Sequence, residues 1–508
     1  MFTSFFSSVF IRSLTLTIAF VLCGTTALVA QKVSKKNSKK AVLPTVVAEP
    51  TTEATLSHAD SLALSAKPYK DNLATLPAED HLKRAEMLFT LLRFEQYKTL
   101  VKNFDTTVIA MRVPQLEALW ERTRNIVGTF RAIKDVLSER LAIGEVVTIE
   151  AQFTNLDLNF TFTFNEKHRV IGFAYSQAKA KYALPRYAHP EDVEERAVTV
   201  QTGEYSLPGL LTLPKSTGDR SIGDKRVPIA LLLHDHGTQD RDRSDNGYKP
   251  NKDLALGLGK QGIATLRYDK RIRLYPLKEG EIEHYTVNEE TVADAVSAIG
   301  LIRTLAQTLP IDTTKIFIIA PSFAAMVLPR ILRMDSLKHP LAVRAQGAVM
   351  LAVNYVKLHE LMMPRFEHFF AKNGLTVDEV KQQASIKRRV ETVESSKLSL
   401  KTSVYDLPYG IPASYWIDLR SYNHVEAIAK LSLPMLFLYG EQDHDIDFTA
   451  NALAWKTKLA DRANVEWKAY PNLFHLFAEG NGSLKDYDRQ GNVDAVVIRD
   501  IAEWIGNH

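Results

Sequence analysis

The stretch that decides the fold is Ile316-Phe317-Ile318-Ile319-Ala320-Pro321-Ser322-Phe323-Ala324-Ala325. Its first half has the apolar character of a short buried strand, and Met326-Val327-Leu328 continues its second half as a helix. A serine between a strand and a helix, with small residues two positions away on both sides, is the pattern of a nucleophile elbow. Such a turn strains the serine and brings neighbouring backbone very close. Taken alone, the pattern also fits an ordinary serine at a helix N-terminus.

Short apolar runs alternate with helical stretches on both sides of this segment. Runs that are nearly continuous in apolar residues indicate a mostly parallel sheet that helices cover on both faces, which is an α/β architecture. The predicted strands are 229–233, 263–268, 316–319, 348–352, 435–439 and 465–469. Catalytic groups of such sheets lie just beyond the carboxyl ends of the strands, so those positions are the ones to examine.

Two other strand ends carry the partners that a nucleophilic serine needs. Asp443 follows the strand 435–439, and His475 lies in the loop after the strand 465–469. Taken singly, Asp443 is equally consistent with a turn cap and His475 with a structural histidine. Serine, aspartate and histidine in this chain order, each at a strand end, predict a Ser-His-Asp triad.

At this point the sequence resembles the serine α/β-hydrolase superfamily, specifically exported bacterial hydrolases of the esterase type that carry a small N-terminal domain. The resemblance covers about 205–506. It rests on the segments 234–242, 266–269, 285–290, 413–416 and 475–477. It implies an α/β-hydrolase fold in which Ser322 is the nucleophile, Asp443 the acid and His475 the base. The oxyanion is expected to be met by the backbone N–H of Phe323 and by one N–H from the loop at His236 and Gly237.

The sequence departs from the family pattern at the predicted site. The usual Gly-His-Ser-x-Gly-Gly reads Ala320-Pro321-Ser322-Phe323-Ala324-Ala325, so three methyl groups narrow the elbow. Asp235-His236 stands where the family has Gly-Ser, and Lys270-Arg271 where it has Arg-Gly. An insertion over about 355–431 is expected to form a helical cap over the cleft. Its Met362-Met363 pair and nearby aromatic residues either shape the acyl pocket or only pack the cap onto the body.

Two other functions compete with an exported ester hydrolase. Loss of the elbow glycines is also expected of a pseudo-hydrolase that acts as a binding or cell-surface module. The His234-Asp235-His236 sequence with Asp240 and Asp242 resembles the ligand set of a metal-dependent hydrolase. No second pair of ligands stands at another strand end, so the sequence favours the triad and predicts no metal. With neither a P-loop nor a dinucleotide fingerprint, it predicts no cofactor either.

Ahead of this domain the chain predicts three further segments. Arg12, the apolar run 14–22 and small residues up to Ala30 are typical of a signal peptide, so 1–30 is predicted to direct export to the periplasm or beyond. Residues 31–78 have the composition of a flexible linker. Helical periodicity and then alternation predict a small α+β domain over 79–178, similar to nuclear-transport-factor domains, and the hydrolase domain is expected over 195–508.

The amino-acid composition limits the kinds of molecule that the protein is expected to bind. The 508 residues contain 63 Lys+Arg and 59 Asp+Glu, and the six basic residues within positions 1–40, which hold no acid, account for the whole excess. The body of the chain therefore has no positive field for nucleic acid, and no membrane span is expected after signal cleavage. A small-molecule ester or other acyl compound is the expected substrate. Cys23 is the one cysteine and lies in the predicted signal peptide, which excludes disulfides and thiol chemistry from the mature chain.

Overall fold

The computed structural model describes residues 79–508 except 110, 142, 179, 216–225, 276, 279 and 371–376. Apart from Leu141–Ile143, the chain divides into a smaller unit that ends at Ala178 and a larger unit, Lys179–His508. The predicted signal peptide over 1–30 and the predicted linker over 31–78 lie outside the described residues.

The smaller unit has the predicted α+β composition. Its helices are α1 (His81–Arg93), α2 (Tyr97–Val101) and α3 (Val113–Val127), and its strands are β1 (Phe130–Leu141), β2 (Gly144–Phe153), β3 (Leu158–Phe164) and β4 (Val170–Gln177). The strands lie in the order β1-β2-β3-β4, with β3 antiparallel to both β2 and β4. Aromatic rings fill the core, where Phe160 contacts the rings of Phe89, Trp120 and Phe153. A core packed in this way stabilises the unit through buried apolar area.

The larger unit is built on an eight-stranded sheet. Its strands are β5 (Val193–Thr202), β6 (Tyr205–Pro214), β7 (Val227–Leu232), β8 (Ala264–Tyr268), β9 (Ile311–Pro321), β10 (Gly347–Leu351), β11 (Met435–Gly440) and β12 (Val465–Tyr470). They lie in the order β5-β6-β8-β7-β9-β10-β11-β12. The six strands from β7 to β12 are parallel to one another, and β6 is antiparallel to both β5 and β8. This topology is the α/β-hydrolase fold, as predicted.

Helices cover the sheet and also form the insertion. Those of the larger unit are α4 (Pro250–Lys260), α5 (Arg271–Leu274), α6 (Ala293–Leu305), α7 (Ser322–Lys338), α8 (Met362–Phe370), α9 (Val377–Glu394), α10 (Ala413–Ser421), α11 (His424–Ala429), α12 (Phe448–Lys458) and α13 (Ala495–Asn507). The helices α8 to α11 lie between β10 and β11, in the segment predicted as the cap. In the part of the chain that the structure describes, no helix combines the length and apolarity needed to span a bilayer.

The sheet brings the predicted site residues to one edge. Ser322 follows β9, Asp443 follows β11 and His475 follows β12, and these strands point the same way. Their carboxyl ends therefore meet at the same edge, where ligands of open α/β sheets bind.

Candidate active site

Ser322 stands at a sharp turn between β9 and α7. Its φ of 37° is in the left-handed region, which a residue with a side chain adopts only when the surrounding structure forces it. The flanking Ala320 and Ala324 are fully buried, which agrees with the need for small side chains at these positions. Asn354, in the loop after β10, donates from Nδ2 to Ser322 Oγ over 3.4 Å. Among the contacts of the described residues there is no hydrogen bond between Ser322 and His475.

Asp443 and His475 form a buried acid–imidazole pair. His475 Nδ1 lies 2.8 Å from Asp443 Oδ2, so this nitrogen carries the proton and Nε2 faces away from the carboxylate. The other oxygen, Asp443 Oδ1, accepts the backbone N–H groups of Asp445 at 2.8 Å and Ile446 at 3.2 Å. These bonds fix the carboxylate, and through it the orientation of the imidazole ring.

The loops that carry this pair lie backbone to backbone. Gln442 donates its N–H to the carbonyl of Leu473 over 3.0 Å. A Cβ at Gly440 would lie 2.3 Å from the Leu473 oxygen, a separation that real side chains do not reach. Glycine at position 440 therefore permits the approach that brings Asp443 to His475.

Three carboxylates surround the His475 imidazole. On the side of Nε2, Asp235 Oδ2 lies at 3.6 Å and Asp445 Oδ2 at 3.8 Å, in addition to Asp443 on the side of Nδ1. Burial opposes the positive charge of the ring, but Asp443, Asp445 and Asp235 outweigh it and raise the pKa of His475 to about 10. In the resting protein at neutral pH, His475 is therefore an imidazolium.

Asp235 occupies the predicted oxyanion hole. Its Oδ1 accepts the backbone N–H of Phe323 at 3.1 Å and that of His236 at 2.7 Å. Its Oδ2 receives Arg243 Nη2 at 3.4 Å. Burial opposes the charge of this carboxylate, but His475 and Arg243 together with the His236 N–H outweigh it and hold the pKa of Asp235 below its ordinary value. Two of the predicted donors thus converge on one anionic oxygen.

The Gly237 N–H, the other candidate donor of this loop, is directed elsewhere. The Gly237 N–H donates to Glu290 Oε1 over 2.9 Å, and the same oxygen receives Lys270 Nζ at 2.8 Å. Lys270 Nζ also donates to the Asp235 carbonyl at 2.8 Å, and Tyr415 donates its hydroxyl to Glu290. Burial opposes the Glu290 charge, but Lys270 outweighs it and the pKa of Glu290 is lowered. This buried ion pair braces the loop that supplies the His236 N–H.

An apolar cleft opens beside the loop that contains His236 and Gly237. Together with the solvent space at its mouth, it encloses about 530 Å³. The lining residues are His236, Gly237, Thr238, Ile272, Tyr275, Leu277, Ile282, Tyr285, Glu290, Gly410, Ile411 and Pro412. The cap therefore contributes its 410–412 segment to the cleft. Met362 and Phe366 pack against Ile386 within the cap instead. Of the two roles predicted for these side chains, shaping the acyl pocket or packing the cap, this contact agrees with packing.

In the described residues, His234 and His236 belong to no group of three possible ligand atoms close enough together to hold a metal ion. His234 Nε2 bonds to the carbonyl of Tyr268 at 2.5 Å, and burial lowers the pKa of His234 to about 3. His236 contacts the rings of Phe323 and Tyr409. The groups of possible ligand atoms that lie within 4.8 Å of one another are Asp443, Asp445 and His475, and His359, Glu360 and Glu394. The first group is the acid–imidazole pair with its neighbouring carboxylate.

The sequence anticipated Ser322, Asp443 and His475 but not the residues around them. Asp235 was noted as a departure from the family pattern, yet its carboxylate was not expected in the oxyanion hole. Asp445 and Asn354 were assigned no role from the sequence. Asp445 follows Asp443 by two positions, and this proximity was its available signal. Asn354 had none, because a polar residue after a strand is too common to single out.

Comparison with known proteins agrees with the fold and the resemblance. Residues 85–173 match a family described as "Protein of unknown function (DUF3887)". Over 403 residues the chain is 27% identical to the esterase EstD of Thermotoga maritima, an alignment that covers 78% of this chain and 88% of that protein. The predicted resemblance to hydrolases of the esterase type is confirmed by this relative.

Two solved esterase structures are also similar to part of this chain. The Pyrococcus furiosus esterase PF2001 is 13% identical, with 65% of this chain and 97% of that chain covered and a TM-score of 0.38. Est1E from Butyrivibrio proteoclasticus, solved with ferulic acid bound, is 15% identical, with 61% and 98% covered and a TM-score of 0.37.

Proposed function

We propose that the protein is a serine hydrolase that cleaves carboxylic esters through an acyl-enzyme, with Ser322 as nucleophile, His475 as base and Asp443 as orienting acid. Its similarity to a curated esterase supports the reaction class. The observation that carries the proposal is the convergence of the Phe323 and His236 N–H groups on one anionic oxygen beside Ser322. An ester carbonyl that develops negative charge needs such a pair of donors.

In the acylation step, neutral His475 accepts the Ser322 proton at Nε2 while the serine oxygen attacks the carbonyl carbon. Asp443 stabilises the imidazolium that forms, through its bond to Nδ1. The carbonyl oxygen takes the place of Asp235 Oδ1, and each backbone donor contributes about 3–4 kcal/mol to transition-state stability. His475 then protonates the leaving alcohol, which departs and leaves an acyl group on Ser322.

In the deacylation step, the same groups act on water. His475 removes a proton from a water molecule as the water attacks the acyl carbon, and the oxyanion again binds the Phe323 and His236 N–H groups. Collapse of the intermediate breaks the bond to Ser322 Oγ, which regains its proton from His475. The carboxylic acid is released and the site returns to its starting state.

The substrate class is proposed from the lining of the cleft. Ile272, Leu277, Ile282 and Ile411 give it an apolar surface suited to the acyl chain or alcohol of a neutral ester. We expect p-nitrophenyl esters from acetate to decanoate to be hydrolysed, and a fluorophosphonate to abolish that hydrolysis. The proposal would be contradicted if the protein cleaved none of these esters and did not react with the phosphonate. That result is the one expected of a pseudo-hydrolase.

The pH profile should report the carboxylates around His475. The base must be neutral in the free enzyme, and its pKa of about 10 places the rise of kcat/KM at alkaline pH. Asp445→Asn removes a negative charge 3.8 Å from Nε2, so the pKa of His475 falls and the rise moves to lower pH. Initial rates between pH 6 and 10.5, corrected for spontaneous ester hydrolysis, measure this. An inflection that stays in place or moves upward would refute the assignment.

Export is the second part of the proposal and rests on residues 1–30. The basic residue, short apolar run and small residues are those of a signal peptide. Amino-terminal sequencing of the protein purified from a host periplasm is expected to begin near residue 28 or 31. An intact Met1 terminus on protein recovered from the cytoplasm would contradict it.

A further inference from the structure

The carboxylate of Asp235 lies where the substrate oxygen has to bind. We propose that Asp235 is an internal inhibitor of the site, whose side chain fills the oxyanion hole in the resting protein and must leave before an ester carbonyl enters. This inference rests on the proposed function. It adds Asp235 to the triad as the residue that determines how readily the oxyanion hole becomes free for substrate.

The contacts of Asp235 divide between its two oxygens. Oδ1 takes both backbone donors of the hole, those of Phe323 and His236. Oδ2 faces the cations, with Arg243 Nη2 at 3.4 Å and His475 Nε2 at 3.6 Å. The side chain is only 17% exposed, so solvent competes weakly for these contacts. One carboxylate therefore accepts from both oxyanion donors and also lies within ion-pair distance of the nitrogen that must act as base.

An anionic carboxylate competes well with a substrate for these donors. Hydrogen bonds to an ionised acceptor are roughly twice as strong as those to a neutral carbonyl, which is what an ester offers before it reacts. The apparent affinity for substrate is the intrinsic affinity multiplied by the fraction of molecules in which the hole is open. Internal competition of this kind raises KM and leaves the reaction of the bound ester largely intact.

Two features keep the carboxylate in position. Lys270 Nζ donates a hydrogen bond to the Asp235 carbonyl and thereby fixes the backbone of Asp235. Arg243 is buried, so loss of the Asp235 partner would leave its charge uncompensated. Arg243 also lies on the side of Oδ2, away from the backbone donors, and offers a partner to the carboxylate after it leaves the hole.

The test compares Asp235→Ala with the wild type on p-nitrophenyl acetate, with each protein measured at the plateau of its own pH profile. We expect kcat/KM to rise at least tenfold in Asp235→Ala, mainly through a lower KM. Inhibition constants for a phenylboronic acid should fall by a similar factor, because its hydroxyl uses the vacated hole. The matched control is Asp312→Ala, near the end of β9 opposite to Ser322, whose carboxylate accepts the Thr314 N–H. It should stay within twofold of the wild type.

Asp235→Asn guards against a folding defect, because it keeps the shape of the side chain and offers a neutral oxygen to the hole. We expect an intermediate gain. If the two Asp235 variants are folded at the assay temperature, as judged by circular dichroism, and match or fall below the wild-type kcat/KM, the inference is overturned. Ser322→Ala in the Asp235→Ala background separates this from the proposed function: loss of all turnover supports Ser322 catalysis whatever Asp235 does, and unchanged turnover overturns the proposed function itself.

Discussion

Ser322→Ala is expected to lower kcat for p-nitrophenyl esters about 10³- to 10⁶-fold. The variant keeps the oxyanion donors of Phe323 and His236 but has no oxygen to form the acyl-enzyme. Residual turnover should come from binding and the donors alone. The serine oxygen makes one described contact, the 3.4 Å bond from Asn354, so its removal should cost little stability. Single-turnover and steady-state rates at the pH plateau measure the loss.

Ser421→Ala is the matched control for this substitution. Ser421 donates its hydroxyl to the Asp418 carbonyl at the exposed end of α10, away from the strand ends that carry the site. Its kcat should equal that of the wild type. If Ser322→Ala retained more than a tenth of wild-type kcat while Ser421→Ala was unaffected, Ser322 would not be the nucleophile.

Lys270→Met is expected to lower the free energy of unfolding by about 3–5 kcal/mol. Lys270 and Glu290 are each about 1% exposed, and the substitution leaves the Glu290 carboxylate buried without its counter-ion. The Gly237 N–H and the Tyr415 hydroxyl remain as its donors, but they supply no full positive charge. Equilibrium urea unfolding at neutral pH, followed by tryptophan fluorescence, measures the change.

The pH dependence of this loss identifies its cause. In the wild type the pKa of Glu290 is lowered, so its contribution to stability is present at neutral pH and is lost as pH falls through that pKa. Without Lys270, burial raises the pKa, and protonation relieves the variant as pH falls below neutral. The deficit should therefore shrink toward pH 4. Lys458→Met, which removes the partner of the more exposed Glu426, should cost at most about 1 kcal/mol. Equal losses in both variants would contradict the assignment.

The sequence predicted the sheet of the larger unit well, because its buried strands are nearly continuous in apolar residues. All six strands predicted from such runs are present, from β7 to β12. The strand β5 escaped because Glu194, Glu195 and Arg196 interrupt its pattern at the edge of the sheet. The strand β1 escaped for the same reason, since seven of its twelve residues are exposed and five are charged. Edge strands carry too little apolar signal for periodicity to find them.

The residues of the triad could be predicted because their order along the chain is characteristic. The placement of the side chains around them could not be predicted. A serine, an aspartate and a histidine after three strands are visible in the sequence. The position of Asp235 in the oxyanion hole is not, because it follows from the turn after β7, the elbow after β9 and the brace between Lys270 and Glu290 acting together. Contacts between distant loops determine it.

The most direct test of the account is to identify the residue that a fluorophosphonate modifies. The purified chain is treated with the reagent, digested and mapped by tandem mass spectrometry, with Ser322→Ala treated in parallel. We predict one stoichiometric adduct, on the peptide that contains Ser322, and no adduct on the variant. An adduct on any other residue, or an unmodified Ser322 after complete reaction of a control esterase, would contradict catalysis by Ser322.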